Sequence, residues 1–130
     1  MTRMHLTITT ALLALSSLAS AADTPVTTLR AADAGRHVPV RVGGEIAIQL
    51  PAVPGSNYTW RVRSHDGLQP SGPIEIIADP ARTVGAPGGP QVAVIHLRAV
   101  KPGKASAVVE QSRDGAGEGS NYLRYRFIVR

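Results

Sequence analysis

Ser56, His65 and Asp66 are residue types that can serve as nucleophile, general base and orienting acid. Catalysis by such a set also needs a nucleophile elbow or a recognisable oxyanion donor, and the sequence has no Gly-x-Ser-x-Gly. With most catalytic roles unfilled, the chain reads as a non-enzyme. Its four histidines, His5, His37, His65 and His96, lack metal-ligand spacing to one another and read as surface residues. There is no Cys, which removes a thiol nucleophile, a thiolate metal site and any disulfide. No cofactor or metal is expected. Arg61, Arg63, Arg124 and Arg126 would line one sheet face if their strands share a sheet. Such a face is either simply solvated or suited to an acidic ligand such as a polyanionic glycan. Asn57-Tyr58-Thr59 also matches an N-glycosylation sequon.

The elements that carry these residues read as strands. Ten Pro and thirteen Gly break the chain at short intervals, and no helix-period pattern of useful length occurs. An edge strand is placed around Val26 to Leu29, and another at 37–42, where Pro39 confines it to an edge or bulge. In 45–50, Ile46, Ile48 and Leu50 share one face. In 58–63, Tyr58, Trp60 and Val62 point inward. A turn-rich stretch at 64–73 precedes a short strand at 74–78. The longest strand, 91–100, turns Ala93, Ile95, Leu97 and Ala99 inward, with His96 and Arg98 outward. Lys101-Pro102-Gly103-Lys104 reads as a hairpin turn with Gly103 at positive φ. A strand at 105–111 follows, and 121–130 closes the domain with Leu123, Tyr125, Phe127 and Val129 inward. About seven or eight strands with turns every 8–12 residues predict an all-β, immunoglobulin-like β-sandwich, with a small barrel as the alternative.

The 130 residues suffice for one domain. Residues 1–22 read as a signal peptide: Arg3 gives the positive start, 6–18 is uncharged and apolar, and Ala19-Ser20-Ala21-Ala22 supplies small residues for cleavage. That apolar run falls short of the roughly 20 residues of a spanning helix. Residues 23–36 form a lead-in and 37–130 the domain. The expectation is an exported protein, periplasmic or secreted, without a stable membrane anchor. Without Arg3 the chain carries thirteen cations against nine acids, too mild an excess to imply nucleic acid.

Three loops stand out, at 51–57, 81–90 and 112–120, and an up-and-down walk through a sandwich lets them share one end, where binding concentrates. The stretch from Leu50 to Trp60 resembles the signature of the chagasin-type inhibitors of papain-like cysteine proteases. Leu50, Pro54, Tyr58 and Trp60 match at the family's spacing. Ser56 stands where a Thr is expected. Asn57 stands where Gly is expected, as the non-Gly residue that best tolerates a left-handed backbone. Val53 and Gly55 depart from the pattern. Residues 84–90 resemble the family's Gly-rich loop, and 91–103 its long strand and turn. In the third loop the family's Arg-Pro-Trp keeps only Arg113, followed by Asp114.

The resemblance implies a monomeric, reversible inhibitor that occludes a papain-like protease's cleft. Its contacts would come from Pro54, Gly55, Ser56, Asn57 and Tyr58 in the first loop, Gly85, Ala86, Pro87, Gly88 and Gly89 in the second, and Arg113 and Asp114 in the third. Arg113 would pair with an acidic group of the enzyme. Loss of the family's Trp removes an aromatic anchor, so weaker binding or a different target is expected. The alternative is an immunoglobulin-like adhesion or envelope-assembly module that kept the fold without inhibition.

Overall fold

A computed structural model describes residues 25–53, 55–82, 89–113 and 121–130. The signal-peptide reading at 1–22 therefore lies outside the described residues. Nine strands are present among them: β1 (Val26–Arg30), β2 (His37–Val40), β3 (Glu45–Ala52), β4 (Tyr58–Asp66), β5 (Leu68–Pro70), β6 (Glu75–Ala78), β7 (Gln91–Ala99), β8 (Gly103–Arg113) and β9 (Asn121–Val129). A single short 3-10 turn, Ala31–Asp33, separates β1 from β2.

The strands form two sheets, as the sandwich reading expects. One runs β1-β3-β7-β5, with β6 also pairing with β7; the other runs β2-β9-β8-β4. β1 lies parallel to β3 at one edge, and β2 lies parallel to β9 at the other sheet's edge. Pro39 thus sits on an edge strand, where its missing N–H costs no ladder bond. β5 is a ninth strand inside the stretch read as turn. Its three residues are too few to show an alternation, and its pairing with β7 defines it.

The core follows the alternation. Ile46, Ile48 and Leu50 of β3, Ala93, Ile95, Leu97 and Ala99 of β7, and Tyr125, Phe127 and Val129 of β9 are all buried in one cluster with Trp60 and Val109. Each large apolar side chain so enclosed stabilises the fold by roughly 1.5–3 kcal/mol before entropic costs. β7 is buried on both faces near its start. Val92 and Val94 form a small second cluster with Ala47 on the outer side. In register they are flanked by Pro51 and Gln49 of β3 and by Ile77 and Glu75 of β6.

Two expectations need correction. The Lys101–Lys104 turn does not close a hairpin: β7 and β8 belong to different sheets, so this turn carries the chain across the sandwich. Its Gly103 does take a positive φ, of 112°. Turn chemistry fixes the local backbone and leaves open which sheet the next strand joins. Tyr58, expected inward, is exposed. It keeps Trp60's face but lies at the first residue of β4, where the opposing sheet no longer covers it.

Arg61, Arg63, Arg124 and Arg126 do share the β2-β9-β8-β4 sheet. Beneath the first two lies the carboxylate of Glu110 on β8, fully buried by its neighbours and unanticipated from the sequence. Arg63 Nη1 donates to Glu110 Oε2 at 2.8 Å, and Arg61 Nε donates to Glu110 Oε1. The Arg63 hydrogen bond, helped by Arg61, holds the Glu110 carboxyl below its usual range despite desolvation. A folded-state value below the unfolded one, about 4.3, contributes stability above the unfolded value. That contribution is lost as pH falls through the folded value. Glu110→Gln is therefore expected to be less stable than the parent at pH 7, with the gap narrowing at pH 3. Urea unfolding at the two pH values measures it, and an equal gap at both would rule out this carboxylate as the titrating group.

Candidate functional site

The strand registers bring all three loops to one end of the sandwich. Ala52, last in β3, pairs with Gln91, first in β7, which also pairs with Ala78, last in β6. Tyr58, first in β4, pairs with Arg113, last in β8, while Gln111 pairs with Asn121, first in β9. Gly55, Ser56, Asn57 and Tyr58 therefore gather at the same end as Gly89 and Arg113. Pro54, Gly85, Ala86, Pro87, Gly88 and Asp114 lie outside the described residues.

The first loop differs in kind from the other two. Loops two and three join hydrogen-bonded neighbours, whereas the first straps one sheet to the other. Its tip is a tight turn in which Ser56 N–H donates to the Val53 carbonyl at 3.1 Å. The Ser56 hydroxyl donates to the same oxygen at 2.8 Å. In Val-Pro-Gly-Ser the third position takes a left-handed backbone, and Gly55 supplies it with φ 78°. This corrects the expectation for Asn57: no described non-Gly residue has positive φ, so the left-handed position is Gly55's. The glycine that this turn requires therefore stands at 55, two residues before Asn57.

The strap's base is pinned by Trp60, whose indole Nε1 donates to the Pro51 carbonyl at 2.9 Å. One buried side chain thus serves the core and fixes where the loop leaves β3. At the loop's other foot, the exposed Tyr58 and Arg113 are cross-strand partners, which joins the first and third loops.

The second loop is fastened by Asp79, which sequence reasoning missed. Asp79 N–H donates to the Pro90 carbonyl at 2.9 Å, closing the loop's neck. Its carboxylate accepts from Ala81 N–H at 3.0 Å and from Arg30 Nη2 at 3.2 Å. The Ala81 bond, more than the guanidinium, keeps the Asp79 carboxyl below its ordinary range. Arg30 also donates to Gln49 Oε1 at 3.1 Å, and the Arg30 carbonyl accepts from Tyr125 OH at 3.0 Å. Burial pushes the Tyr125 phenol up to about 12, so it remains a protonated donor. The only signal for Asp79 in the sequence is an Asp directly before Pro80, a common turn opening.

The Ser56–His65–Asp66 reading is excluded by geometry. Ser56 lies at the loop end, while β4 carries His65 about 23 Å from Tyr58 at 3.3 Å per residue. His65 Nδ1–H donates to the Leu68 carbonyl at 2.8 Å instead. Among the described residues no group of His, Asp or Glu is arranged to hold a metal ion.

A sandwich that gathers three loops at one end is an arrangement suited to loop-mediated binding. The chain belongs to the chagasin family of peptidase inhibitors: the model of that family, the chagasin family peptidase inhibitor I42, matches residues 39–129. It is accordingly an inhibitor of peptidases rather than an enzyme, and the adhesion alternative is not favoured. Among solved structures, the fold is shared with the cysteine protease inhibitor EhICP2 from Entamoeba histolytica at 23% identity, covering 82% of this chain and 96% of that one, with TM-score 0.66. Amebosin matches at 21% identity over 82% and 99% of the two chains, with TM-score 0.65. PbICP-C, solved in complex with falcipain-2, matches at 18% identity over 82% and 92%, with TM-score 0.50. A search of characterised protein sequences returned no match.

Proposed function

We propose that this chain is an exported, monomeric inhibitor of papain-like cysteine proteases that plugs the catalytic cleft reversibly with the three-loop end. The observation that carries this reading is the convergence of the loops around a strap pinned at Trp60 and turned at Gly55. Membership of a peptidase-inhibitor family supports it, as does the cysteine protease inhibitor EhICP2 on the same fold. In this reading Pro54, Gly55, Ser56, Asn57 and Tyr58 form the wedge. A backbone turned back on itself by two hydrogen bonds to one carbonyl fills the cleft without laying an extended peptide across it. Preorganisation of the turn lowers the ordering cost of binding. Gly85, Ala86, Pro87, Gly88 and Gly89 would grip one side of the enzyme, and Arg113 and Asp114 the other. The Tyr58–Arg113 pair offers an aromatic face and a cation where the family's Trp is missing.

Purified residues 23–130 should slow papain and a cathepsin stoichiometrically and reversibly. Lack of inhibition at micromolar concentration across several such enzymes would overturn the proposal. Export predicts that the protein recovered outside the cytoplasm begins at Ala22 or Asp23; N-terminal sequencing checks this, and recovery of intact Met1 protein would refute it.

A further inference from the structure

The outer faces of the two sheets differ in how their charges are matched. On the β3-β7 side, Arg98 is paired with Glu45 at 2.6 Å, and Arg30 with Asp79 at 3.2 Å. On the β9-β8 side, Lys104, Arg124 and Arg126 are exposed. No ion-pair partner for these three occurs among the described residues. The acids on that face are Glu110, already engaged by Arg61 and Arg63, and the single Asp66, which lies across Ser106 from Arg126 without forming an ion pair with it.

The register sets out these cations in a stripe. Arg124 and Arg126 are two residues apart on β9 and so share a face, about 7 Å from one another. Lys104 pairs with Ile128, the next position on that face, while Arg124 is opposite Val108 on β8. Arg63, over Glu110, extends the line toward Tyr122, and the stripe is about 20 Å long. Two shallow depressions flank it. One, of about 220 Å³, is lined by Lys104, Ser106, Arg124 and Arg126, with Asp66 and His37 at its border. The other, of about 400 Å³, is lined by Arg63, Val108, Tyr122 and Arg124. Arg124 borders both. Tyr122 is exposed, with the Arg63 guanidinium 5.2 Å from its ring centroid.

We infer that this face is a second binding surface, for a linear acidic polysaccharide lying along the Lys104–Arg126–Arg124–Arg63 stripe. Three spaced, unmatched cations, Lys104, Arg126 and Arg124, suit a chain with repeated sulfate or carboxylate groups, while Arg63, ion-paired with Glu110, holds the Tyr122 ring that gives a sugar an apolar surface to lie on. A membrane surface would call for an apolar face to insert beside the cations, which this face does not present among the described residues. Single-stranded nucleic acid uses aromatic rings in succession along a groove, and here Tyr122 is the one exposed ring on this face among the described residues. The stripe runs along the side of the sandwich and reaches toward the three-loop end at Tyr122, the second residue of β9.

The test uses residues 23–130 with heparin and polygalacturonate as probes, followed by calorimetry or retention on immobilised polymer at increasing salt. Binding at low salt that declines as salt rises is expected. Arg124→Glu with Arg126→Glu should reduce affinity by about tenfold or more. Arg41→Glu with Lys101→Glu, the same charge change made in the connections at the opposite end from the loops, should stay within about twofold. Circular dichroism and thermal melting verify that both double variants remain folded. Failure of the parent to bind either polymer, an equal loss in both double variants, or preference for phosphatidylglycerol vesicles or oligonucleotides would each overturn the inference. Papain inhibition is not part of this readout, so the outcome is independent of the proposed inhibitory function.

Discussion

Gly55→Val is expected to raise the inhibition constant against papain by about tenfold or more while leaving the domain folded. A side chain at Gly55's φ of 78° costs about 1–2 kcal/mol, and more when β-branched. Roughly 1.4 kcal/mol already corresponds to a factor of ten. The strain sits in a solvent-facing tip, so the loop relieves it by abandoning the turn. That discards the two hydrogen bonds Ser56 makes to Val53. Ser56→Arg should weaken inhibition at least as much by crowding the same tip. Ser56→Ala removes one hydrogen bond worth about 0.5–1.5 kcal/mol and keeps the backbone one, so its effect should be the smallest of the three. Inhibition constants paired with thermal melts resolve the series. Gly55→Val with a parental constant would remove this turn from the mechanism.

The largest effect on stability should come from Trp60. Trp60→Ala leaves a cavity between the sheets and frees the Pro51 carbonyl, with an expected loss of about 3–5 kcal/mol in urea unfolding. Trp60→Phe separates the two roles. It preserves most of the apolar bulk and loses the indole donor, for about 0.5–1.5 kcal/mol. If the indole anchors the strap, Trp60→Phe also binds papain more weakly. A Trp60→Phe protein with undiminished inhibition would show that packing alone holds the loop.

Both predictions turn on a part of the chain that the sequence discloses unevenly. β3 and β9 are legible because their core residues recur at every second position, whereas β7 is a continuous apolar run at 92–95, buried on both faces, and alternates only from Ile95 onward. Gathering of the loops at one end follows from that alternation together with strand direction. What alternation cannot register is where the sandwich stops. Tyr58 obeys the period and is nonetheless exposed, because burial depends on what lies opposite. Glu110 shows the converse: an outward position is buried because two long Arg side chains on β4 close over it, a cross-strand event with no local signature. Asp79 and Arg30 are 49 residues apart and meet only in the fold. Gly55 is legible within a Pro-Gly pair, a common turn signal, and it rather than Asn57 takes the left-handed position.

The order in which the chain visits the two sheets bears on how the molecule is made. Among the described residues, only β6 with β7 and β8 with β9 are hydrogen-bonded neighbours in sequence. Every other pairing waits for a distant segment, and β2 must await β9, at the far end of the chain, to find its partner. A topology so poor in local contacts folds on the millisecond-to-second scale typical of all-β domains. A C-terminal deletion that removes β9 would leave β2 without a partner and β8 paired with β4 alone, and its product should stay unfolded.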